Sequence, residues 1–330
     1  MKPLLCRMGT PRFSVVVPVY NRPDELRELL ASLTRQTITD FEVVVVEDGS
    51  SVPSKQVVDE FSRKLQINYF FKPNSGPGPS RNAGFQQARG DYFVIFDSDC
   101  ILPENYFHSV VDFLSRTPLD AWGGPDRAHE NFTILQRAMG YTMSSPLTTG
   151  GIRGGKKHVG WFQPRSFNMG ISRNVFQKTG GFHFDRYAED IEFSIRMKQM
   201  GFRVGLIPDA FVYHKRRTTL GQFFRQVSNF GKGRALIGRK YPSEVKLTHW
   251  FPTIFLVGLV ALALLPLVSI TLFWIGFTGL VVYLLAIFLH SFAENRSFLV
   301  ALLSVPSVLI QFCGYGIGFL QETLKTYSGK

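Results

Sequence analysis

Asp97-Ser98-Asp99 puts two carboxylates one residue apart, directly after the apolar run Tyr92 to Phe96. Hard oxygens so spaced can share a divalent cation, Mg²⁺ or Mn²⁺, and such a metal usually bridges to phosphates. Taken alone, the pair could equally be a turn with solvated acids. Two more polar groups follow apolar runs: Tyr20-Asn21 after Phe13 to Pro18, and Glu47-Asp48-Gly49-Ser50 after Phe41 to Val46. One acid after a strand is ordinarily a helix cap or an Asx-turn; three such groups are harder to explain that way.

The elements that must position these groups alternate. Apolar runs at 13–18, 41–46, 67–71 and 92–96 read as strands, and the stretches 24–35, 57–65 and 80–88 read as helices. Alternation of this kind predicts an α/β domain, a parallel sheet with helices on both faces. Ligands of such sheets bind at the C-terminal ends of the strands. In the common doubly wound order the first and fourth strands are neighbours, so Tyr20, Asp48 and Asp97 would face one crevice.

Pro18-Val-Tyr-Asn-Arg-Pro23, Val46-Glu-Asp-Gly-Ser50, Ser80-Arg-Asn-Ala-Gly84 and Asp97-Ser-Asp99 occur in the order and spacing of family 2 glycosyltransferases. Asn168-Met-Gly-Ile-Ser172, Gly180-Gly-Phe182, Glu189-Asp190 and Val212-Tyr-His214 continue the family's order. The resemblance spans roughly 12–216. Residues 220–325, from Gln222-Phe-Phe-Arg-Gln226 to Gly314-Tyr-Gly-Ile-Gly-Phe319, resemble more weakly the membrane tail of succinoglycan-type exopolysaccharide transferases.

The resemblance implies a GT-A fold, a Rossmann-like and mostly parallel sheet, and a nucleotide-sugar donor. By family position Asp48 accepts hydrogen bonds from the base, commonly uracil, with Tyr20 as an aromatic face and Pro18 and Asn21 in the same pocket. Arg81 meets the diphosphate or the sugar, beside Ser98. Asp99 is a metal ligand, Asp97 a ligand or a ribose contact, and His214 closes the metal site. Asp190 is the base that deprotonates the acceptor hydroxyl in an inverting transfer, and Glu189 contacts the acceptor. The ordinary readings are a helix-surface ion pair for Arg81, a hydrogen-bonded loop residue for His214, and acids favoured by the macrodipole at the start of a helix over 191–199. Three departures stand out. Glu47 replaces a common Asp, Cys100 follows Asp99 where another Asp is frequent, and Gln222-Phe-Phe-Arg225 is followed by Gln226, not Trp. The last argues against a processive synthase and for addition of a single sugar. Gly150-Gly-Ile-Arg-Gly-Gly-Lys-Lys157 resembles a P-loop but ends in Lys where Ser or Thr is needed. It reads as a basic loop.

No Asp, Glu, Lys, Arg or His occurs across the 39 residues Phe251 to Leu289 or the 24 residues Ser297 to Leu320. About 20 apolar residues cross a bilayer as a helix, which predicts three spans, at 251–268, 272–290 and 298–320. Between Lys215 and Lys246 nine basic residues meet only Glu244, a net charge of +8. Basic residues just before a span stay cytoplasmic and attract anionic headgroups. Leu220, Phe223, Phe224, Val227 and Phe230 among them suggest an amphipathic interfacial helix. Met1 to Arg12 lacks an apolar stretch of signal-peptide length.

The expected organisation is therefore a catalytic domain at 1–215, a basic interfacial segment at 216–249 and a membrane domain at 250–330. It is a multi-pass protein of the inner membrane, with its catalytic domain facing the cytoplasm. The expected reaction is metal-dependent transfer of one sugar, from a UDP-sugar by preference, to a polyprenyl-diphosphate-linked glycan. A polyprenyl-phosphate glycosyltransferase and an inactive sugar-nucleotide-binding subunit are the alternatives. The net charge of +12 would also suit nucleic acid, but no motif for it is present. The spans carry no ionisable residue at midspan, which argues against a transporter. Cys6, Cys100 and Cys313 form no CxxC pair and no zinc spacing, as suits a reducing compartment.

Overall fold

The computed structural model describes residues 10–127, 132–149, 161–215 and 217–328. The basic loop expected at Gly150 to Lys157 lies outside these residues, as do the first nine residues. The described elements run β1 (Phe13–Val19), α1 (Pro23–Leu33), β2 (Phe41–Asp48), α2 (Lys55–Phe61), β3 (Ile67–Lys72), α3 (Pro77–Gln87), β4 (Tyr92–Phe96), β5 (Cys100–Ile101), α4 (Tyr106–Arg116), β6 (Ala121–Gly123), β7 (Asp126–Arg127), α5 (Ile134–Ser144), α6 (Pro146–Thr149), β8 (Asn168–Ser172), α7 (Arg173–Thr179), α8 (Glu189–Gln199), β9 (Val204–Leu206), β10 (Val212–His214), α9 (Leu220–Lys240), α10 (Phe251–Leu264), α11 (Ile270–Asn295) and α12 (Phe298–Ser328). Short 3₁₀ turns flank α10. The chain divides into two compact units, one of Met1–Arg127 with Val159–Lys215, the other of Ala128–His158 with Arg216–Lys330. The contiguous division expected from the sequence is a different partition. It assigns Ala128–His158 to the catalytic domain, whereas these residues cluster with the C-terminal tail.

The first unit is built on a seven-stranded sheet of order β3-β2-β1-β4-β8-β6-β9. β1 lies between β2 and β4 and is parallel to both, the neighbourhood expected from the doubly wound reading. β8 runs antiparallel to β4 and β6, so the sheet is mostly and not wholly parallel. Both faces are buried, and the strand pleat divides the valines between them. Val15, Val17, Val43 and Val45 join Leu26, Leu29, Leu30 and Phe107 on one side. Val16, Val44 and Val46 join Phe85, Met169, Phe193 and Met197 on the other. A small second sheet, β5-β10-β7, brings His214 opposite Cys100. In α8 Ile191 and Ile195 are buried; Met200, just past the last turn, is exposed.

In the second unit Phe223 and Val227 of α9 pack on Met139 and Met143 of α5. Part of the apolar face that the sequence assigns to lipid is therefore turned onto protein. α9 and α12 touch backbone to backbone: a Cβ on Gly231 would lie 2.1 Å from the Tyr315 carbonyl oxygen, and one on Gly318 would lie 2.0 Å from that of Ser228. α5 also meets α11 and α12. Tyr141 packs with Ile287, Val308 and Phe312, and its hydroxyl lies 2.9 Å from His290 Nδ1. α11 and α12 are each long and apolar enough to cross a membrane. The first expected span, 251–268, appears as the shorter apolar helix Phe251–Leu267. At 1.5 Å per residue that reaches about 25 Å, less than a hydrocarbon core of roughly 30 Å.

Candidate active site

The C-terminal ends of β1, β2 and β4 lie on one edge of the sheet, because these strands are parallel neighbours. That edge carries Tyr20, Asp48 and Asp97 together. Tyr20 is exposed, and Pro18 is half-buried in β1. Asn21 adopts a left-handed φ of 54°. Its N–H donates to Ser50 Oγ at 2.7 Å, and its Oδ1 accepts from Val52 N at 3.0 Å. Asn21 thus ties the turn after β1 to the turn after β2.

Asp48 is buried at the end of β2 and holds the loop before α3. Its oxygens accept from the Lys72 ammonium, from Ser75 N at 2.9 Å and from Gly76 N at 2.9 Å. Burial opposes its ionisation, but Lys72 and these N–H donors outweigh that and hold the carboxyl below its usual range. The preceding Glu47, fully buried, accepts from Ser50 Oγ and from Ser54 N at 2.7 Å, and so braces the turn instead of facing the crevice. Gly49 is required here: φ is +71°, and a Cβ would sit 2.5 Å from Asn74 N.

The Asp97-Ser98-Asp99 turn sends its two acids to different partners. Asp97 Oδ1 accepts from Arg81 Nη2 at 2.7 Å. Asp99 is buried, with Oδ2 2.6 Å from Arg22 Nη1 and Oδ1 3.1 Å from His214 Nε2. Ser98 is buried between them. Arg81 does not open onto the crevice: its side chain is 3% exposed, and Nη1 donates to Glu189 Oε1 at 2.8 Å. It therefore bridges the end of β4 to the first turn of α8. Burial pushes the Glu189 carboxyl up, the neighbouring Asp190 adds to this, and Arg81 opposes it. Asp190, in the first turn of α8, accepts from Ile191 N at 2.8 Å and lies 3.5 Å from Arg165 Nη1.

Two further motifs hold this frame. Asn82, next to Arg81, pairs with both backbone groups of Phe182, donating to its O at 2.7 Å and accepting from its N at 2.8 Å. Gly180 and Gly181 before it have φ of 74° and 83°, which only glycine adopts without strain. Arg196 closes the same turn, donating to Thr179 O at 2.7 Å and to Gly181 O while paired with the buried Glu192.

A divalent cation fits one corner of the site. Ligand atoms of Asp99, Cys100 and His214 lie within 4.8 Å of one another. Burial raises the Cys100 thiol well above its usual range, and its Sγ lies 3.5 Å from the Phe167 carbonyl oxygen. Its Sγ is the third donor atom of the group, beside the Asp99 carboxylate and the His214 imidazole. Asp99 offers a carboxylate oxygen and His214 an imidazole nitrogen, its ring stacked on Phe167 at 4.8 Å. Asp97 stands outside this group, drawn to Arg81. The residues that sequence reasoning missed are Arg22, Lys72 and Arg165, the cations set against Asp99, Asp48 and Asp190. Arg22 lies inside the Pro18–Pro23 motif, and that was its only signal.

The Glycosyl transferase family 2 model matches residues 14–180. The probable glycosyltransferase YdaM of Bacillus subtilis (strain 168) is 25% identical over 307 residues, covering 84% of this chain and 72% of its own. The poly(ribitol-phosphate) beta-N-acetylglucosaminyltransferase TarS of Staphylococcus aureus (strain Mu50) is 40% identical over 107 residues, which is 31% of this chain and 19% of TarS. Its fragment 1–349 with UDP-GlcNAc superposes with a TM-score of 0.52 at 18% identity, over 97% of this chain and 92% of that one. The mannosyltransferase PcManGT of Pyrobaculum calidifontis, in complex with GDP-Man and Mn²⁺, superposes with a TM-score of 0.67 at 18% identity, over 98% of this chain and 89% of its own. With a GT-A sheet whose strand ends gather these acids, and a family match across half its length, the chain belongs to glycosyltransferase family 2 and is an enzyme that transfers a sugar from a nucleotide-sugar.

Proposed function

We propose that the enzyme adds one sugar, with inversion, from a UDP-sugar to a polyprenyl-diphosphate-linked glycan at the cytoplasmic face of the inner membrane, in polysaccharide or glycolipid assembly. The observation that carries this reading is the Asp97–Arg81–Glu189 bridge. It fixes the acid at the end of β4 and the first turn of α8 in one frame. Asp190 is then the base that takes the acceptor hydroxyl proton, and Glu189 contacts the acceptor. Asp48 and Tyr20 hold the base of the nucleotide; Asp97 and Ser98 meet its ribose side. Asp99 and His214 would hold Mn²⁺ or Mg²⁺, whose charge offsets that of the departing diphosphate. Arg81 acts through Asp97 and Glu189, since both of its terminal nitrogens are engaged.

The uridine preference is supported by the TarS complex with UDP-GlcNAc, and the metal by the Mn²⁺ in the PcManGT complex. The lipid acceptor and a multi-pass membrane location are supported by two helices of spanning length and the +8 segment before them. The test is the thermal midpoint of the detergent-purified protein against UDP, GDP, dTDP and CMP, with and without Mn²⁺. A metal-dependent rise with UDP, absent in Asp99→Asn, is expected. A rise with GDP alone would replace the uridine assignment. No rise with any nucleotide would remove the donor site. The anomeric configuration of the product on a lipid-linked acceptor decides inversion.

A further inference from the structure

The two acids of Asp97-Ser98-Asp99 are each covered by a guanidinium, and the two covers differ in kind. Arg81 over Asp97 has a side chain 3% exposed and is tied a second time, to Glu189. Arg22 over Asp99 has a side chain 37% exposed and reaches from the turn between β1 and α1, 77 positions earlier in the chain. That turn is stiff in its backbone. Asn21 is fixed at φ 54° by Ser50 and Val52, and Pro23 starts α1. The Arg22 side chain is the more exposed of the two covers and has no second acid partner among the described residues. It sits on Oδ2 of the carboxylate whose Oδ1 faces His214.

We propose that Arg22 is a movable counter-cation: it neutralises Asp99 when the site is empty, and passes to the donor's diphosphate when a divalent cation takes Asp99. This rests on the metal-dependent donor site proposed above. A buried carboxylate needs a cation at all times, because its desolvation is otherwise uncompensated. A guanidinium and a dication on the same carboxylate repel each other at short range. A nucleoside diphosphate relieves that repulsion, since its oxygens accept the guanidinium fork while also facing the metal. Metal alone therefore binds against Arg22, whereas metal with nucleotide binds with it. By linkage, each then tightens the other by the same factor.

The experiment titrates the full-length, detergent-purified protein with Mn²⁺, following the free ion by electron paramagnetic resonance, with and without saturating UDP, and with GDP in parallel. Arg22→Gln is expected to bind Mn²⁺ alone about tenfold tighter than the wild type, within the usual range of coupling between sites. The tightening of Mn²⁺ by nucleotide should shrink by a similar factor. Arg22→Lys, which keeps the charge, should bind Mn²⁺ alone as weakly as the wild type. Arg22→Met repeats the neutral substitution with the apolar stem kept, in case Arg22→Gln fails to fold. Neutral variants that bind Mn²⁺ alone no tighter than the wild type would overturn the role of Arg22, while loss of binding in Asp99→Asn leaves the metal site standing. Mn²⁺ that binds none of the proteins even with nucleotide, or that ignores Asp99→Asn, overturns the metal site and this inference with it.

Discussion

At the scale of single residues, each acid of the candidate site is set against a cation. Asp48 has Lys72, Asp97 has Arg81, Asp99 has Arg22 and His214, and Asp190 has Arg165. Asp48 carries a pH consequence. Its carboxyl is held below the usual range, so below about pH 4 the unfolded chain takes up this proton before the folded chain does. Its stabilising contribution is full above that pH and is lost as pH falls further. In a series of thermal midpoints between about pH 3 and pH 5, Asp48→Asn should flatten the acid-side slope of the wild type. The same variant should lose most of the stabilisation given by UDP at neutral pH. Asp190→Asn should lower kcat at least about a hundredfold, the usual loss for a general base, with little change in KM for the donor. A matched rise in KM would make Asp190 a binding residue instead.

At the scale of elements, the sheet was legible and the framing of its edge only in part. Val43 to Val46 and Phe93 to Phe96 could hardly be anything but buried strands, and their turn acids then had to share an edge. Asp97 and Asp99 were legible as a pair. That they part company, one to α3 and one to β10, was not, because the split depends on where Arg81 and His214 arrive from distant segments. Apolar periodicity specifies no pairing between a cation and an acid many residues apart. Arg22 and Arg165 were therefore invisible as partners. The Gly180-Gly-Phe182 motif was visible as letters, and its reason came from packing. It is the turn that Asn82 and Arg196 grip, and it leads into the segment that starts α8. Glu192→Gln leaves the nearly buried Arg196 without its counter-charge. It should cost about 3 kcal/mol, the lower end for breaking a buried pair. A fall in chemical-denaturation midpoint, with nucleotide binding kept by the molecules that stay folded, checks it. In the tail, Gly231→Val drives a side chain at the Tyr315 carbonyl. It should lower the thermal midpoint of the detergent-purified protein, as overpacking does.

At the scale of the whole molecule, the chain leaves the catalytic unit after β7 and returns to it before β8, and the excursion Ala128–His158 clusters with the tail. This organisation was not legible in the sequence, because Ile134 to Ser144 is only modestly apolar and its partners Phe223, Ile287 and Phe312 lie far downstream. A chain ended at Lys215 therefore keeps α5 without the surfaces that cover Met139, Tyr141 and Met143. It should aggregate, whereas the same chain with Ala128–His158 replaced by a Gly/Ser link of equal length should stay monomeric in size-exclusion chromatography. Equal solubility of the two would show that α5 needs no cover from the tail. The excursion also sets a clock for biosynthesis. α5 emerges from the ribosome about 150 residues before α12 has begun. At 5–20 residues per second it waits on the order of ten seconds before its last covering helix emerges. During that interval the nascent chain presents a helix fit for a holdase chaperone, and translation speed across Leu220 to Phe312 becomes a determinant of yield.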